Sequence, residues 1–383
     1  MARRRRRRPP LIIAILLALA LAELDTVRGA VQLGHLVATP WLAFALTRIF
    51  PAVAALLALG PFAHVPTVLS GKRLPGWVHG LLAPSYLFVL ACAAYAVFGG
   101  FIALGRAAFG VPPPSVPMQA LGLALPFALA IHGAGLGQLW TRVERIPMVI
   151  RGLGAGLDGL RVVQLSDLHA GGLVGARRLS RIARKVARLK PDLVVVTGDI
   201  VNASPHEAEL AGQILGGLEA SFGVWACLGN HDHFVDGDGV ARILEAHGVR
   251  VLRNRGEVIR RGDGALWLAG VDDTWTHADD LTKALADKPV AMPTVLLAHD
   301  PNLWPQAVAR NVEWTLSGHT HGGQIGLVKV HPSLSLARLI TPFVAGLYRQ
   351  GGAALYVSRG TANTLPLRLG APTEVSLFEL EAS

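Results

Sequence analysis

Leu193-Val194-Val195-Val196-Thr197-Gly198-Asp199-Ile200-Val201-Asn202 is the stretch on which the fold turns. Its first five residues read as a strand buried on both faces, since no polar side chain alternates with the apolar ones. The strand runs straight into Gly198-Asp199 and Asn202. The same event recurs on either side. Upstream, an apolar strand over 161–166 ends in Asp167-Leu168-His169, and a basic helix follows at about 176–189. Leu179, Ile182, Val186 and Leu189 are at helical spacing, and Pro191 stops it. Downstream, a helix over 205–218 leads to a strand over 223–228 that ends at Gly229-Asn230-His231-Asp232. Further strands are predicted over 265–271, 294–298 and 313–316, with Ala298-His299-Asp300 and Gly318-His319-Thr320-His321 at the ends of the last two. Late strands cover 353–357 and 374–380. Such alternation predicts an α/β domain with helix-covered sheets.

Ligands in α/β sheets collect at the carboxyl ends of strands. Five separate strand ends here aim carboxylate, amide and imidazole groups at one rim. A single Asp-x-His is weak, because a buried His satisfied by hydrogen bonds is the usual alternative. The ordered set of five is not weak. It resembles the calcineurin-like metallophosphoesterases, whose motif order is D-x-H, G-D-x-x-(N/D), G-N-H-(D/E), a lone H, and G-H-x-H. The resemblance covers about residues 147–380. Leu165 to His169, Gly270-Val271-Asp272-Asp273, Ser317 through Gln324 and Val357-Ser358-Arg359-Gly360 look like its membrane-associated YkuE/YaeI-like branch.

The resemblance implies a two-layer β-sandwich flanked by helices around a dinuclear metal site. One ion would take Asp167, His169, Asp199 and His321. The other would take Asp199, Asn230, His299 and His319, with Asp199 bridging. Nitrogen and oxygen donors without thiolate suit Mn, Fe or Zn rather than a structural zinc site. By the same resemblance, a metal-bridging hydroxide attacks a phosphate ester. His231 is not a ligand but stabilises the transition state or protonates the leaving group, and Asp232 orients that ring. Asn202 and Asp300 are weaker candidates for supporting roles. His206, His233 and His277 read as loop histidines.

The remaining 150 residues at the N-terminal end have another texture. Of 36 Lys and Arg residues, 13 lie before residue 151, against three of the 26 acids; residues 151–383 hold 23 of each sign and are neutral. The net charge of +10 is therefore no sign of nucleic-acid binding, which is disfavoured. Apolar stretches run over 10–24, 36–60, 77–104 and 118–140, and a span needs roughly 20 apolar residues. The expectation is an all-α membrane domain of about four transmembrane helices over 1–146, ahead of the phosphoesterase domain over 147–383. The first stretch admits three readings: a short span, a cleaved signal peptide or an interfacial helix. Basic residues Arg3 to Arg8, Lys72, Arg73, Arg142 and Arg145 fall on one side, and only Arg28 and Arg106 in the opposite loops. The positive-inside rule then predicts a bacterial-type inner or plasma membrane protein with its catalytic part in the cytoplasm. The interfacial reading alone reverses this. Arg48, beside Pro51, is an intramembrane charge or a snorkelling one. Cys92 and Cys227 read as buried free thiols.

The substrate expected is a phosphodiester or pyrophosphate on a lipid or lipid-linked nucleotide. The tether supports it, and so does the basic helix, whose arginines either form a solvated face or meet anionic headgroups. Small soluble nucleotides remain an alternative, as does a non-catalytic membrane receptor or transport component.

Overall fold

In the structure, a computed structural model, the described residues are 9–55, 57, 76–110, 112–134, 141–171, 174–362 and 368–382. Two units separate, Met1–Gly135 and Leu136–Ser383.

The first unit is helical. Helix α1, Pro9–Leu36, is continuous, so the break expected after residue 24 is absent and Arg28 lies in a helix, not a loop. Nothing between Leu24 and Leu36 forces a stop: no proline intervenes, and Thr26 turns its hydroxyl back onto Ala22 O at 2.8 Å. Helix α2, Pro40–Phe44, passes into a π-helical turn, Ala45–Ile49. A wide turn ahead of Pro51 absorbs the missing proline N–H. Arg48 is in that turn, with its side chain exposed. Helix α3, Gly76–Phe109, and α4, Val116–Ala134, follow. Arg106 is inside α3, again not in a loop. Among the described residues, Leu87–Phe109 and Val116–Gly133 are long and apolar enough to cross a membrane. Arg3 to Arg8, Lys72, Arg73 and the end of the 36–60 stretch lie outside the described residues.

The second unit contains two six-stranded sheets. The first has the order β1 (Arg142–Ile150), β12 (Glu374–Ala382), β2 (Arg161–Leu165), β3 (Leu193–Thr197), β4 (Val224–Cys227), β5 (Arg250–Val251). The second has β10 (Gly346–Gln350), β11 (Ala353–Val357), β9 (Trp314–Ser317), β8 (Thr294–Leu297), β7 (Gly264–Gly270), β6 (Arg255–Arg261). Strand β1 crosses residue 146, so Arg142 and Arg145 are strand residues. Strand β12 is parallel to β1 and antiparallel to β2, while β2, β3 and β4 run parallel.

One apolar cluster joins the two sheets face to face. It holds Val162, Val195 and Trp225 from the first sheet and Leu268, Leu297 and Trp314 from the second. Phe378 sits edge-on to both Trp314 and Tyr356, at 4.8 and 5.0 Å between ring centroids. Each such buried side chain contributes roughly 1.5–3 kcal/mol. Helices cover the outer faces. On the first sheet these are α5 (Ala176–Arg188), α6 (Glu207–Gly216) and α7 (Asn230–Ala246). Helix α5 buries Leu179, Ile182 and Val186 and stops where Lys190 turns left-handed ahead of Pro191. The second sheet is covered by α8 (Leu281–Ala284) and α9 (Trp304–Ala309).

Candidate metal centre

The parallel central strands β2, β3 and β4 of one sheet, and β8 and β9 of the other, end at the same rim. Backbone bonds stitch these ends together: Asp167 N to Gly198 O, His169 N to Asp199 O, and Gly318 N to His299 O. Gln164 crosses between the sheets, donating to Ser317 O at 2.9 Å. The chain leaves these strands by abrupt turns. Asp167, His169, Asp199, His319 and His321 all have positive φ, between 43° and 70°. That conformation costs a non-glycine residue of order 1–3 kcal/mol and persists where the surroundings enforce it. Two glycines make the close approach possible. A Cβ on Gly198 would strike the His299 ring and the Gly229 amide, and one on Gly318 would strike Ser166 and Asp167.

Asp167, His169, Asp199 and His321 bring one ligand atom each to within 4.8 Å of one another. His169 Nε2 faces His321 Nε2 at 3.2 Å, and His321 Nε2 stands 3.5 Å from Asp167 Oδ1. Asp199 Oδ2 is 3.7 Å from His169 Nε2 and 3.3 Å from His299 Nε2. Beyond Asp199, His319 Nδ1 lies 2.9 Å from Asn230 Oδ1 and 3.3 Å from His299 Nε2.

Burial holds the His169 ring down to about 3, against the pull of Asp199. Burial, then the neighbouring His299, lowers His319 to about 4, and burial lowers His321 as well. Neutral rings keep lone pairs. Burial also opposes charge on His299, but Asp199 beside it prevails and raises that ring to about 10. Two neutral imidazoles face each other between carboxylates. A divalent cation would satisfy all of them at once, and the donor set of nitrogen and oxygen fits such an ion. Cys227 points into the sandwich core instead.

His231 is half-buried at the edge. Its amide donates to Asp199 Oδ1 at 2.9 Å, and its ring lies 4.8 Å from that of His169. Ring Nδ1 is 3.0 Å from Asn202 O, so it must carry the proton, since a carbonyl only accepts. Asp232, expected to orient this ring, does something else. Its carboxylate accepts from the amides of Gly229, Ile200 and Val201 at 2.9 to 3.0 Å. Neighbouring residues on a helix point about 100° apart, so Asp232 faces back into the fold and clamps two ligand loops together. The carbonyl of Asn202, not its side chain, holds His231. Asp300 caps the turn at Asn302 and accepts from Thr274.

His206 and His277 are exposed. His233 is no loop histidine. It sits in α7, and its Nε2 is 3.1 Å from Asp272, which also pairs with Arg253. Sequence reasoning missed Arg368. It is 1% exposed, donates to the carbonyls of His321, Arg359, Ala371 and Ala362, and stands 3.2 Å from His321 Nδ1. Arg359 ties down the adjoining loop through Glu144 and Glu374. Two exposed aromatics flank the site. Trp275 packs 5.0 Å from the His319 ring and Phe234 6.1 Å from that of His231.

A family model described as calcineurin-like phosphoesterase matches residues 160–323. A transmembrane protein with metallophosphoesterase domain from Danio rerio is 32% identical over 312 residues, 77% of this chain and 70% of that one. The Bacillus subtilis protein named uncharacterized metallophosphoesterase YkuE is 33% identical over 240 residues, 60% of this chain and 81% of the relative. Among solved structures, the phosphopantetheinyl hydrolase PptH of Mycobacterium tuberculosis superposes with a TM-score of 0.38 at 15% identity, covering 55% of this chain and 92% of its own. Two relatives named as transmembrane proteins accompany the two apolar helices of the first unit. All five strand-end motifs fall inside the matched range, and relatives above 30% identity are spanned over most of their length: the chain belongs to the calcineurin-like metallophosphoesterase family, metal-dependent hydrolases of phosphoric ester bonds.

Proposed function

We propose that the protein is a two-metal hydrolase of a phosphodiester or pyrophosphate bond. Its helical unit holds it in a bacterial-type inner or plasma membrane, with the catalytic unit in the cytoplasm. Asp167, His169, Asp199 and His321 would hold one ion, and Asp199, Asn230, His299 and His319 the other, as Mn, Fe or Zn. The observation that carries this reading is the position of Asp199 Oδ2, 3.7 Å from His169 on one side and 3.3 Å from His299 on the other. A bridging carboxylate between two like charges belongs there.

Bound ions offset the charge on the phosphoryl oxygens and acidify water. The protein's own groups do the rest. His299 donates from Nδ1 to Thr197 O at 2.7 Å, which fixes the ring with Nε2 directed at the site, and that nitrogen would release its proton when an ion binds. His231, as the imidazolium, keeps its Nδ1 proton on Asn202 O and gives its Nε2 proton to the leaving oxygen, becoming the neutral ring. Asp232 holds together the loops that carry Asp199 and His231. Apolar helices and transmembrane relatives support a lipid-borne substrate. Exposed Trp275 and Phe234 beside the site favour a second reading, in which a nucleotide base stacks at the rim.

The test is metal analysis of the purified full chain together with turnover of bis-p-nitrophenyl phosphate. Two equivalents of metal and turnover are expected. His231→Ala should keep both equivalents and lose about 10²- to 10⁴-fold in rate. One equivalent of metal at full activity would sink the dinuclear reading.

A further inference from the structure

The segment that follows His321 leaves the site as a small apolar hairpin. Gly326 and Ser335 form an antiparallel bridge, Leu327 N donates to Leu334 O at 2.7 Å, and a 3-10 turn, Leu336–Leu339, completes it. Ile325, Leu327, Val330, Leu334, Leu339 and Ile340 are all exposed, Leu339 and Ile340 to 86% and 80%. They make up half of the large exposed apolar side chains among the described residues of this unit. Scattered exposed leucines need no explanation, but a cluster on one element does.

The hairpin is built onto the metal centre rather than hung from it. Ser335 Oγ donates to Gly322 O at 3.1 Å, one residue from His321. Thr320 Oγ1 donates to Val344 O at 2.6 Å just beyond the hairpin. Lys329 is paired with Glu144 at 2.8 Å, on the strand that follows the helical unit directly in sequence. Between Ile325 and Ile340 there is no Asp or Glu, while Lys329, His331 and Arg338 are present. Apolar tips with basic shoulders and no acids match the surface of an anionic bilayer, where chains bury apolar side chains and cations meet headgroup phosphates.

We infer that the hairpin over 325–340 dips into the bilayer of anionic lipid and holds the rim of the metal centre at the lipid–water boundary. The centre then meets phosphate esters borne on lipid without lifting them fully into water. The inference rests on the reading that the helical unit keeps the enzyme at a membrane.

Cys92 and Cys227 are both buried, so a single introduced cysteine takes a fluorophore selectively. Val330→Cys and Ile340→Cys, each labelled in the full chain and placed in vesicles of phosphatidylglycerol and phosphatidylcholine, should be quenched at least about two-fold more by bromine-bearing acyl chains than Val290→Cys. Val290 is 99% exposed on another loop and serves as the reference. Equal quenching at all three positions overturns the inference. So does a signal that follows protein concentration instead of lipid, which would give this face to a second copy of the chain. The measurement needs no turnover. Quenching in an enzyme inactive on bis-p-nitrophenyl phosphate leaves the hairpin standing and removes the phosphoesterase reading. An active enzyme without quenching does the reverse.

Discussion

Around Asp167, His169 and His321 the metal centre is backed by a buried guanidinium, whereas beside Asn230, His299 and His319 it carries the exposed ring of Trp275. Asp167 and His169 are 0% and 1% exposed, and a buried guanidinium, Arg368, stands behind His321. On the other side His319 packs against Trp275, itself 49% exposed, and its charged neighbours are His299, then the carboxylates of Asp300, Asp199 and Asp273. The same donor types therefore serve two ends. One half is fixed by the bonds of Arg368 to a web of backbone carbonyls. The other has an exposed aromatic wall, Trp275.

Asp199 alone belongs to both halves, so it gives the largest effect. Asp199→Asn should strip metal from both and lower turnover of bis-p-nitrophenyl phosphate by more than about 10³-fold, the loss expected when several kcal/mol of charge stabilisation disappears. Full metal content with a tenth of the activity would break its shared role. Arg368→Met tests the half around His321. Four buried carbonyls lose their donor, so denaturant unfolding should report roughly 3 kcal/mol or more of destabilisation. Metal affinity in that half should fall about 10- to 100-fold while the half around His299 keeps its ion. Equal weakening of both ions would dissolve the contrast. Trp275→Ala is the mildest change. With an aromatic leaving group KM should rise about five-fold, equivalent to about 1 kcal/mol of ring contact, at constant kcat. A fall in kcat alone would move Trp275 from the wall to the chemistry.

What was legible in the sequence follows the same division. Every proposed ligand lies at a strand end in a short local pattern, and those strands are buried runs such as Leu193–Thr197, so both strand and ligand show within ten residues. Arg368 shows nothing of the kind. Its partners are carbonyls at 321, 359, 362 and 371, brought together only by folding. Strand β1 was hidden because Arg142, Glu144, Arg145 and Pro147 interrupt its apolar residues, as an edge strand permits. Strand β6 carries Arg255, Glu257, Arg260 and Arg261 and pairs with one neighbour only. Its exposed face has no apolar period to detect. In α1, charges at 23, 25 and 28 suggested a loop where the helix runs on, because Glu and Arg are good helix formers.

The place of β12 between β1 and β2 has a consequence for biosynthesis. Neither of those early strands pairs with the other; each waits for the same late one. Thr373 reaches Thr141 across 232 residues of chain. Until residues 374–382 leave the ribosome, β2 offers a bare edge and the sandwich core lacks Phe378 and Leu380. A nascent chain must therefore carry an open, apolar half-sheet until those residues emerge. Closure of this unit is a late event, made by β12 rather than by the motifs proposed to hold the ions.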